Sequence, residues 1–286
     1  MNKRLESSLL YEHWIQFKKN KAAIIGMVII IIFIIIAIFA NALATHDPLK
    51  TNINNRLTPP GEKGYILGSD DLGRDVYSRI MYGSRISLMI GVISVSISLL
   101  FGLIIGLLAG YYGGILDIIV MRIIDIMLAF PYILLAIVIV AMLGPSLQNA
   151  MIAVGIVGIP KFARIIRASV LAEKETDYVM AERSLGASDL ELMIKTILPN
   201  CLAPIIVQAT LSYAGAILSA AALSFLGLGA QVPTPEWGLM LSDGKNFIST
   251  AWWAVTFPGL AILFSVLGFN LFGDGLRDVL DPRLKD

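Results

Sequence analysis

The stretch of this sequence with the most familiar chemical spacing is GSDDLGRD, at residues 68–75. Its glycines, Gly68 and Gly73, are separated as they are in a phosphate-binding P-loop, where lysine and then serine or threonine follow the second glycine. Arg74 and Asp75 stand in those two positions here. Because the lysine and the hydroxyl are both missing, the stretch predicts no nucleotide site.

Side chains that could ligate a metal or act as nucleophiles are scarce. The chain has one cysteine, Cys201, and two histidines, His13 and His46. One cysteine excludes an internal disulfide, and this set cannot make a His/Cys metal cluster. No serine or cysteine is accompanied by a histidine in a defensible nucleophile–base constellation. We therefore expect a non-catalytic chain that binds no metal and no cofactor of its own.

The composition indicates where such a chain resides. Of its 286 residues, 57% are hydrophobic and 15% are charged, which is more apolar surface than a soluble domain can bury. The expected fold class is an all-α polytopic membrane protein in contact with membrane lipid. The formal net charge of +1 suggests no nucleic-acid partner.

Six apolar stretches are long enough to cross a bilayer, and they set the predicted boundaries. The predicted segments are an N-terminal tail over 1–21, a first transmembrane helix over 22–45, a polar loop over 46–85, a transmembrane core over 86–273 and a polar tail over 274–286. The first stretch exceeds the apolar core of a signal peptide, so we expect it to remain uncleaved. Kinks are expected at Pro131 and Pro160.

Six spans place both termini on one side of the membrane. The N-terminal tail, the C-terminal tail and the flank of the fourth span at Lys161, Arg164 and Arg167 are basic. Basic segments favour the cytoplasmic side, so both termini are predicted to be cytoplasmic. The 46–85 loop then lies outside, although it also carries several lysines and arginines.

A row of small residues lies in the second span. Gly102, Gly106 and Gly110 recur every fourth residue, and Ser94 and Ser98 extend the row. Such a row lets helices approach closely in lipid, where packing drives their association. It predicts a helix–helix interface, and the alternative is a span that is merely rich in glycine.

Three ionisable residues, Asp117, Arg122 and Asp125, lie near the start of the third span. Ionisable groups inside a membrane are functional candidates by default. Arg122 and Asp125 are spaced to pair on one helix face. Their place near the cytoplasmic end favours a structural ion pair.

Residues 176–199, called the elbow below, predict two short helices with a corner between them. Gly186 suits the left-handed position that ends the first helix. Ser188 and Glu191 form a capping box that starts the second, and Pro199 is expected to stop it. One apolar stripe is expected along the second helix: Leu190, Met193, Ile194 and Ile197.

A rigid knob of this kind suits docking. A DNA-binding helix-turn-helix is one alternative, but acidic residues cancel the local lysines and arginines, whereas duplex binding needs excess positive charge. An ordinary interfacial loop is the other alternative.

The elbow resembles the EAA coupling motif of ABC importer permeases. Four residues stand at positions of that motif: Ala181, Gly186, Leu198 and Pro199. Three positions depart from it, with Met180 for its glutamate, Glu182 for its second alanine and Thr196 for its isoleucine.

Three further stretches extend the resemblance over nearly the whole chain. They are LGSDDLGRDVYSRIMYGSRISL, LSFLGLGAQVPTPEWG and GFNLFGDGLRDVLDPRLKD, in the expected order. The chain thus looks like the second-type permease subunit of a dipeptide, oligopeptide or nickel ABC importer.

The resemblance implies the function and partners of the chain. It implies half of a translocation pathway for peptides in a bacterial or archaeal cell membrane, paired with a homologous second permease. Two cytoplasmic subunits would hold ATP and magnesium, and an extracytoplasmic solute-binding protein would deliver substrate. The residues assigned to ATPase coupling are Ala181, Glu182, Gly186, Ser188, Leu198 and Pro199.

Three alternatives to peptide import remain open. A nickel or metal-chelate importer would share these motifs. A self-sufficient secondary transporter predicts carboxylates in the middle of the membrane, for which Asp125 is the sole candidate. An intramembrane enzyme lacks catalytic residues.

Overall fold

The computed structural model describes residues 15–280, and it contains no β-strand within that range. In chain order the helices are α1 (Lys21–Leu43), α2 (Val76–Tyr112), α3 (Gly114–Ala129), α4 (Tyr132–Leu143), α5 (Leu147–Glu173), α6 (Asp177–Ser184), α7 (residues 189–200), α8 (Leu202–Phe225), α9 (Trp237–Gly244) and α10 (Trp253–Leu280). The predicted all-α fold is confirmed. The outer parts of both predicted tails lie outside the described residues.

Five of these helices, α1, α2, α5, α8 and α10, are long and apolar enough to cross a membrane. The pair α3 and α4 passes the same test together, although its two parts are bent by 96°. Residues 15–280 therefore contain six candidate spans if this bent pair counts as one.

The bend between α3 and α4 is sharper than the kink predicted at Pro131. Phe130 leaves the helical region with ψ 139°, and Pro131 caps α4. A proline disfavours the helical conformation for the residue before it, which accounts for a complete break. Pro160, by contrast, lies inside a continuous α5.

Two helices exceed their predicted spans. α2 begins at Val76 rather than near residue 86, because Asp75 caps it by accepting a hydrogen bond from the Ser78 amide at 3.1 Å. The last part of the predicted 46–85 loop is therefore helical. α10 continues to Leu280, so the start of the predicted 274–286 tail is helical as well.

The core is organised around the pair α2 and α5, which form the most extensive helix contact, while α10 packs on α1 and α8. Buried Ile90 on α2 and buried Phe162, Ile166 and Val170 on α5 belong to one hydrophobic cluster. The same cluster reaches Leu192, so the elbow is packed onto one end of this pair.

Candidate functional site

The corner of the elbow is closed by a Schellman motif. α6 ends at Ser184, and Gly186 takes a φ of 91°. The Gly186 amide donates to the Arg183 carbonyl at 3.1 Å, and the Ala187 amide donates to the Glu182 carbonyl at 3.2 Å. These two bonds define the motif. The left-handed conformation predicted for Gly186 is confirmed.

The cap of α7 is half of the predicted capping box. The Ser188 hydroxyl accepts from the Glu191 amide at 3.4 Å, as expected. The Glu191 carboxylate was expected to reach back to Ser188, but it accepts from Lys195 Nζ at 2.7 Å. This hydrogen bond also holds the pKa of the Glu191 carboxyl below its usual range. Lys195, an exposed residue one turn further along the helix, bonds the carboxylate in place of the Ser188 amide.

The α7 segment does not keep one helical period, which changes its buried face. An α-helical turn, Asp189–Glu191, passes into a π-helix, Leu192–Ile197. Met193 and Ile197 of the predicted stripe are buried, whereas Leu190 and Ile194 are exposed. A π-turn bonds residue i to i+5, so more residues are needed to return to the same face.

The prediction that Pro199 stops the helix is wrong. Pro199 lies in the first turn of a short α-helical segment, Leu198–Asn200, where its missing N–H costs nothing. The chain turns at Cys201 and continues directly into α8. Cys201 is buried, and this burial raises the pKa of its thiol to about 11.

Tyr111, near the end of α2, fastens both helices of the elbow to the bundle. Its hydroxyl donates to Asp189 Oδ1 on α7 at 2.6 Å and accepts from Arg183 Nη2 on α6 at 3.0 Å. The Arg183 guanidinium lies 5.4 Å from the ring centroid, within cation–π range. Lys174 Nζ donates to the Tyr111 carbonyl at 3.4 Å. Sequence reasoning missed Tyr111 because its partners lie more than 60 residues away.

A second bond holds the two elbow helices together directly. Thr196 Oγ1 donates to Glu182 Oε2 at 2.6 Å. These are two of the three positions at which the sequence departs from the EAA motif. The two departures therefore contact each other, since a hydroxyl and a carboxylate meet where the motif has an isoleucine and an alanine.

The rest of the elbow is open. Of the six predicted coupling residues, Leu198 is half-buried and five are exposed: Ala181, Glu182, Gly186, Ser188 and Pro199. Leu185 at the corner is 88% exposed. A hollow of about 470 Å³ between the helices is lined by Glu182, Leu185 and Lys195, among others. The elbow thus presents an exposed apolar side chain at its corner, while Tyr111 and one buried face join it to the bundle.

The glycine row packs inside this chain, against α5. A β-carbon at Gly102 would lie 2.4 Å from Phe162 Cβ, and one at Gly106 would lie 2.6 Å from the Ala163 carbonyl oxygen. At Gly110 the nearest atom would be Val170 Cβ, at 2.9 Å. The row therefore gives α2 and α5 backbone-level contact, and α5 leads into the elbow.

The charged residues of the third span pair differently from the prediction. Asp125 accepts from Arg164 at 2.8 Å, and Asp117 forms an ion pair with Arg167. Arg122 is therefore not the partner of Asp125. Both bonds tie α3 to α5, and the partners were hidden from sequence reasoning because they are 39 and 50 residues apart.

At the opposite end of α2, residues 46–75 and 226–252 form what we call the loop platform. Arg74 and Arg79 are almost completely buried in it. Arg74 bonds Asp70 at 2.6 Å and Asp243 at 3.2 Å. Arg79 donates to the Pro48 carbonyl at 3.2 Å, and to those of Pro233 and Thr234 at 3.3 and 3.4 Å. The second platform segment is thereby bonded to the first.

With this geometry described, the family comparisons can be interpreted. Residues 102–286 match the model of the "binding-protein-dependent transport system inner membrane component" family. Residues 8–60 match the "N-terminal TM domain of oligopeptide transport permease C". Together these matches cover most of the chain, including the elbow and the glycine row.

Curated relatives match over almost the full length. The chain is 55% identical over 270 residues to a dipeptide transport system permease protein of Alkalihalophilus pseudofirmus, covering 94% of this chain and 88% of that protein. It is 54% identical to the dipeptide transport system permease protein of Escherichia coli K12, covering 96% and 94%. A di/tripeptide transport system permease protein of Pseudomonas aeruginosa is 51% identical, covering 98% and 94%.

A solved structure supports the fold. An inward-facing form of the MetNI methionine ABC transporter matches with a TM-score of 0.58 at 20% identity, over 71% of this chain and 96% of that chain. The chain therefore belongs to the family of binding-protein-dependent transport system inner membrane components, as a multi-pass permease subunit of an ABC importer.

Proposed function

We propose that this permease serves an importer of dipeptides and other short peptides. The observation that carries the proposal is identity of more than 50%, across nearly all of the chain, to permeases named for dipeptide or di/tripeptide transport. The nickel or metal-chelate alternative has no comparable support.

We propose a complete importer in which this chain works with four further subunits of three kinds. A homologous second permease pairs with this chain, and two cytoplasmic subunits bind ATP and magnesium. A solute-binding protein delivers peptide at the loop platform. The elbow and both termini are cytoplasmic, in the cell membrane of a bacterium or archaeon.

The elbow is the part that receives movement from the ATPases. Its exposed tip offers Leu185 and the adjacent hollow to a partner, while Tyr111 joins both sides of the corner to α2. ATP binding shifts an equilibrium between inward-open and outward-open bundles only through a differential interaction with the two states. A stiff corner held at one point transmits that difference to α2 and α5.

Transport by the reconstituted complex tests the substrate. The chain is purified with the products of neighbouring genes, placed in proteoliposomes, and given labelled dipeptide, ATP and its binding protein. We expect ATP-dependent uptake of the labelled dipeptide. Excess unlabelled dipeptide should reduce this uptake by competition, and a nickel chelate should not. Competition only by the chelate, or uptake by the chain alone driven by an ion gradient, contradicts the proposal.

The orientation has its own test. Native Cys201 is buried, so its failure to react with a thiol reagent would not report the side on which it lies. Cysteines at exposed positions do report it, and Leu185→Cys and Val232→Cys are suitable. In right-side-out vesicles a membrane-impermeant reagent should label the Val232→Cys variant and spare the Leu185→Cys variant. The reverse pattern contradicts the proposed topology.

A further inference from the structure

A cavity of about 470 Å³ lies among α2, α4, α5 and α8, within the membrane-spanning part of the bundle. It is of the size that binds small molecules in proteins. Gly215 of α8 lines it, and a β-carbon there would meet no atom within 4 Å. This space is therefore a genuine opening between the spans.

The cavity wall combines apolar side chains with hydroxyls already held in place. Ser98 donates to the Gly155 carbonyl at 2.6 Å, and Tyr132 donates to the Val154 carbonyl at 3.2 Å. Ser212 accepts from Gln208 at 2.6 Å. Each hydroxyl oxygen has lone pairs beyond these bonds and can accept from the N–H groups of a peptide.

Lys161 is the one charged residue among those that line this cavity. It lies about 21 Å along α5 from Leu147, at 1.5 Å per residue, which is about midway along this 27-residue candidate span. Its side chain is exposed. An ammonium at this depth is costly unless something pairs with it.

The neighbouring cations of α5 have partners, and Lys161 does not. Arg164 pairs with Asp125, and Arg167 pairs with Asp117. Among residues 15–280, no hydrogen bond or ion pair involves the Lys161 ammonium. The bundle therefore contains a cavity with acceptors on its wall and one unpaired positive charge at its edge.

We propose that this cavity is a passage site for the transported peptide and that Lys161 binds the peptide's carboxylate there. The inference rests on the proposed function, because a zwitterionic peptide supplies both the carboxylate for Lys161 and the N–H groups for the hydroxyls. A charge-assisted bond of this kind is stronger than a neutral one. It also offsets the cost of bringing a carboxylate into the bundle.

The charge at position 161 can be changed chemically in a single variant. Lys161→Cys removes it, and methanethiosulfonate reagents then attach an ammonium, a sulfonate or a neutral methyl group. The wild-type complex treated with the same reagents is the control, since its Cys201 is buried. Lys161→Arg is the matched variant that keeps the charge. Uptake of labelled dipeptide is measured beside ATP hydrolysis stimulated by the binding protein and beside recovery of the complex.

We expect uptake to fall about tenfold in the Lys161→Cys variant, the loss of one charge-assisted bond. The ammonium reagent should restore it, the sulfonate reagent should lower it further, and Lys161→Arg should stay near wild type. Complex recovery should not change. Equal uptake by all three modified forms overturns the proposal, because charge would then be irrelevant. Loss of complex in the Lys161→Cys variant also overturns it, since Lys161 would then pair with the second permease. Absence of peptide uptake by wild type would refute the proposed function instead.

Discussion

The loop platform and the elbow, at opposite ends of α2, use charge in opposite ways. The platform buries Arg74 and Asp70 at its centre, and Arg79 alone bonds the carbonyls of three residues from two distant segments. In the elbow, the Lys195–Glu191 pair lies on the surface with both side chains exposed. Exposed pairs of this kind contribute little to stability.

The difference teaches how each end is constrained. A buried charge is tolerated only in the geometry that satisfies it, so the platform has one arrangement. The elbow is rigid at its corner but joined to the bundle mainly through Tyr111 and a few buried apolar residues. We therefore expect the elbow to move as one body. Four experiments probe this contrast.

The largest effect is expected at the platform, from Arg79→Met. The substitution leaves the three backbone carbonyls and Asp70 without the guanidinium. This should lower the free energy of unfolding by about 3–5 kcal/mol. The midpoint of thermal unfolding of the purified complex should fall steeply, and its yield with it. Lys63→Met, on the platform surface, is the control, and its free energy of unfolding should stay within about 0.5 kcal/mol of the wild-type value. An unchanged midpoint for Arg79→Met would mean that the platform is no more constrained than the elbow.

Gly186→Val tests the elbow corner. Because a β-carbon there would meet no atom within 4 Å, the cost comes from the φ of 91° and not from crowding. The strain should be about 1–3 kcal/mol and should misdirect α7. We expect peptide uptake to be lost and ATP hydrolysis to become independent of substrate, with the spans intact. Gly186→Asn, which tolerates this conformation better, is the control. Normal uptake by the valine variant would remove the corner from the mechanism.

Tyr111→Phe separates the fastening of the elbow from its rigidity. The ring stays, but the bonds to Asp189 and Arg183 are lost, which should cost about 1.5 kcal/mol. Uptake should fall roughly tenfold relative to ATP hydrolysis. Tyr112→Phe is the control, since that neighbouring side chain is half exposed. Equal behaviour of the two variants would show that the hydroxyl carries no movement.

The smallest effect is expected from the bond between Glu182 and Thr196. Glu182→Ala and Thr196→Ile should each weaken coupling slightly, whereas both together restore two of the three departing positions of the EAA motif and should recover coupling. The double-mutant cycle, measured as uptake per ATP hydrolysed, should give an interaction energy of about 0.5 kcal/mol. Strict additivity would mean that the two departures from the motif do not compensate.

The parts of the elbow that depend on neighbouring residues were predictable from the sequence. Gly186 and Ser188 act through bonds to residues within four positions, so their chemistry is local. The buried face of α7 was not predictable, because the π-helix Leu192–Ile197 changes the period that the stripe was assumed to follow. The apolar spans and the glycine row were similarly accessible, since composition and spacing encode them.

Features that depend on distant partners were out of reach. Asp125 was assigned to Arg122 three residues away, whereas its partner Arg164 becomes adjacent only when α3 folds across α5. Arg79 looked like one charge of a polar loop, and nothing near it indicated burial. Polar side chains choose among partners that only the tertiary fold brings together.

The length of α2 has a thermodynamic consequence. It runs unbroken for 37 residues, about 55 Å, from the platform at Val76 to the elbow at Tyr111 and Tyr112. Two ligands that bias the same rigid element must affect each other equally. The factor by which a protein docked on the platform changes nucleotide affinity at the other face must equal the factor by which nucleotide changes the affinity of that docked protein. Measuring either of these two factors therefore fixes the other.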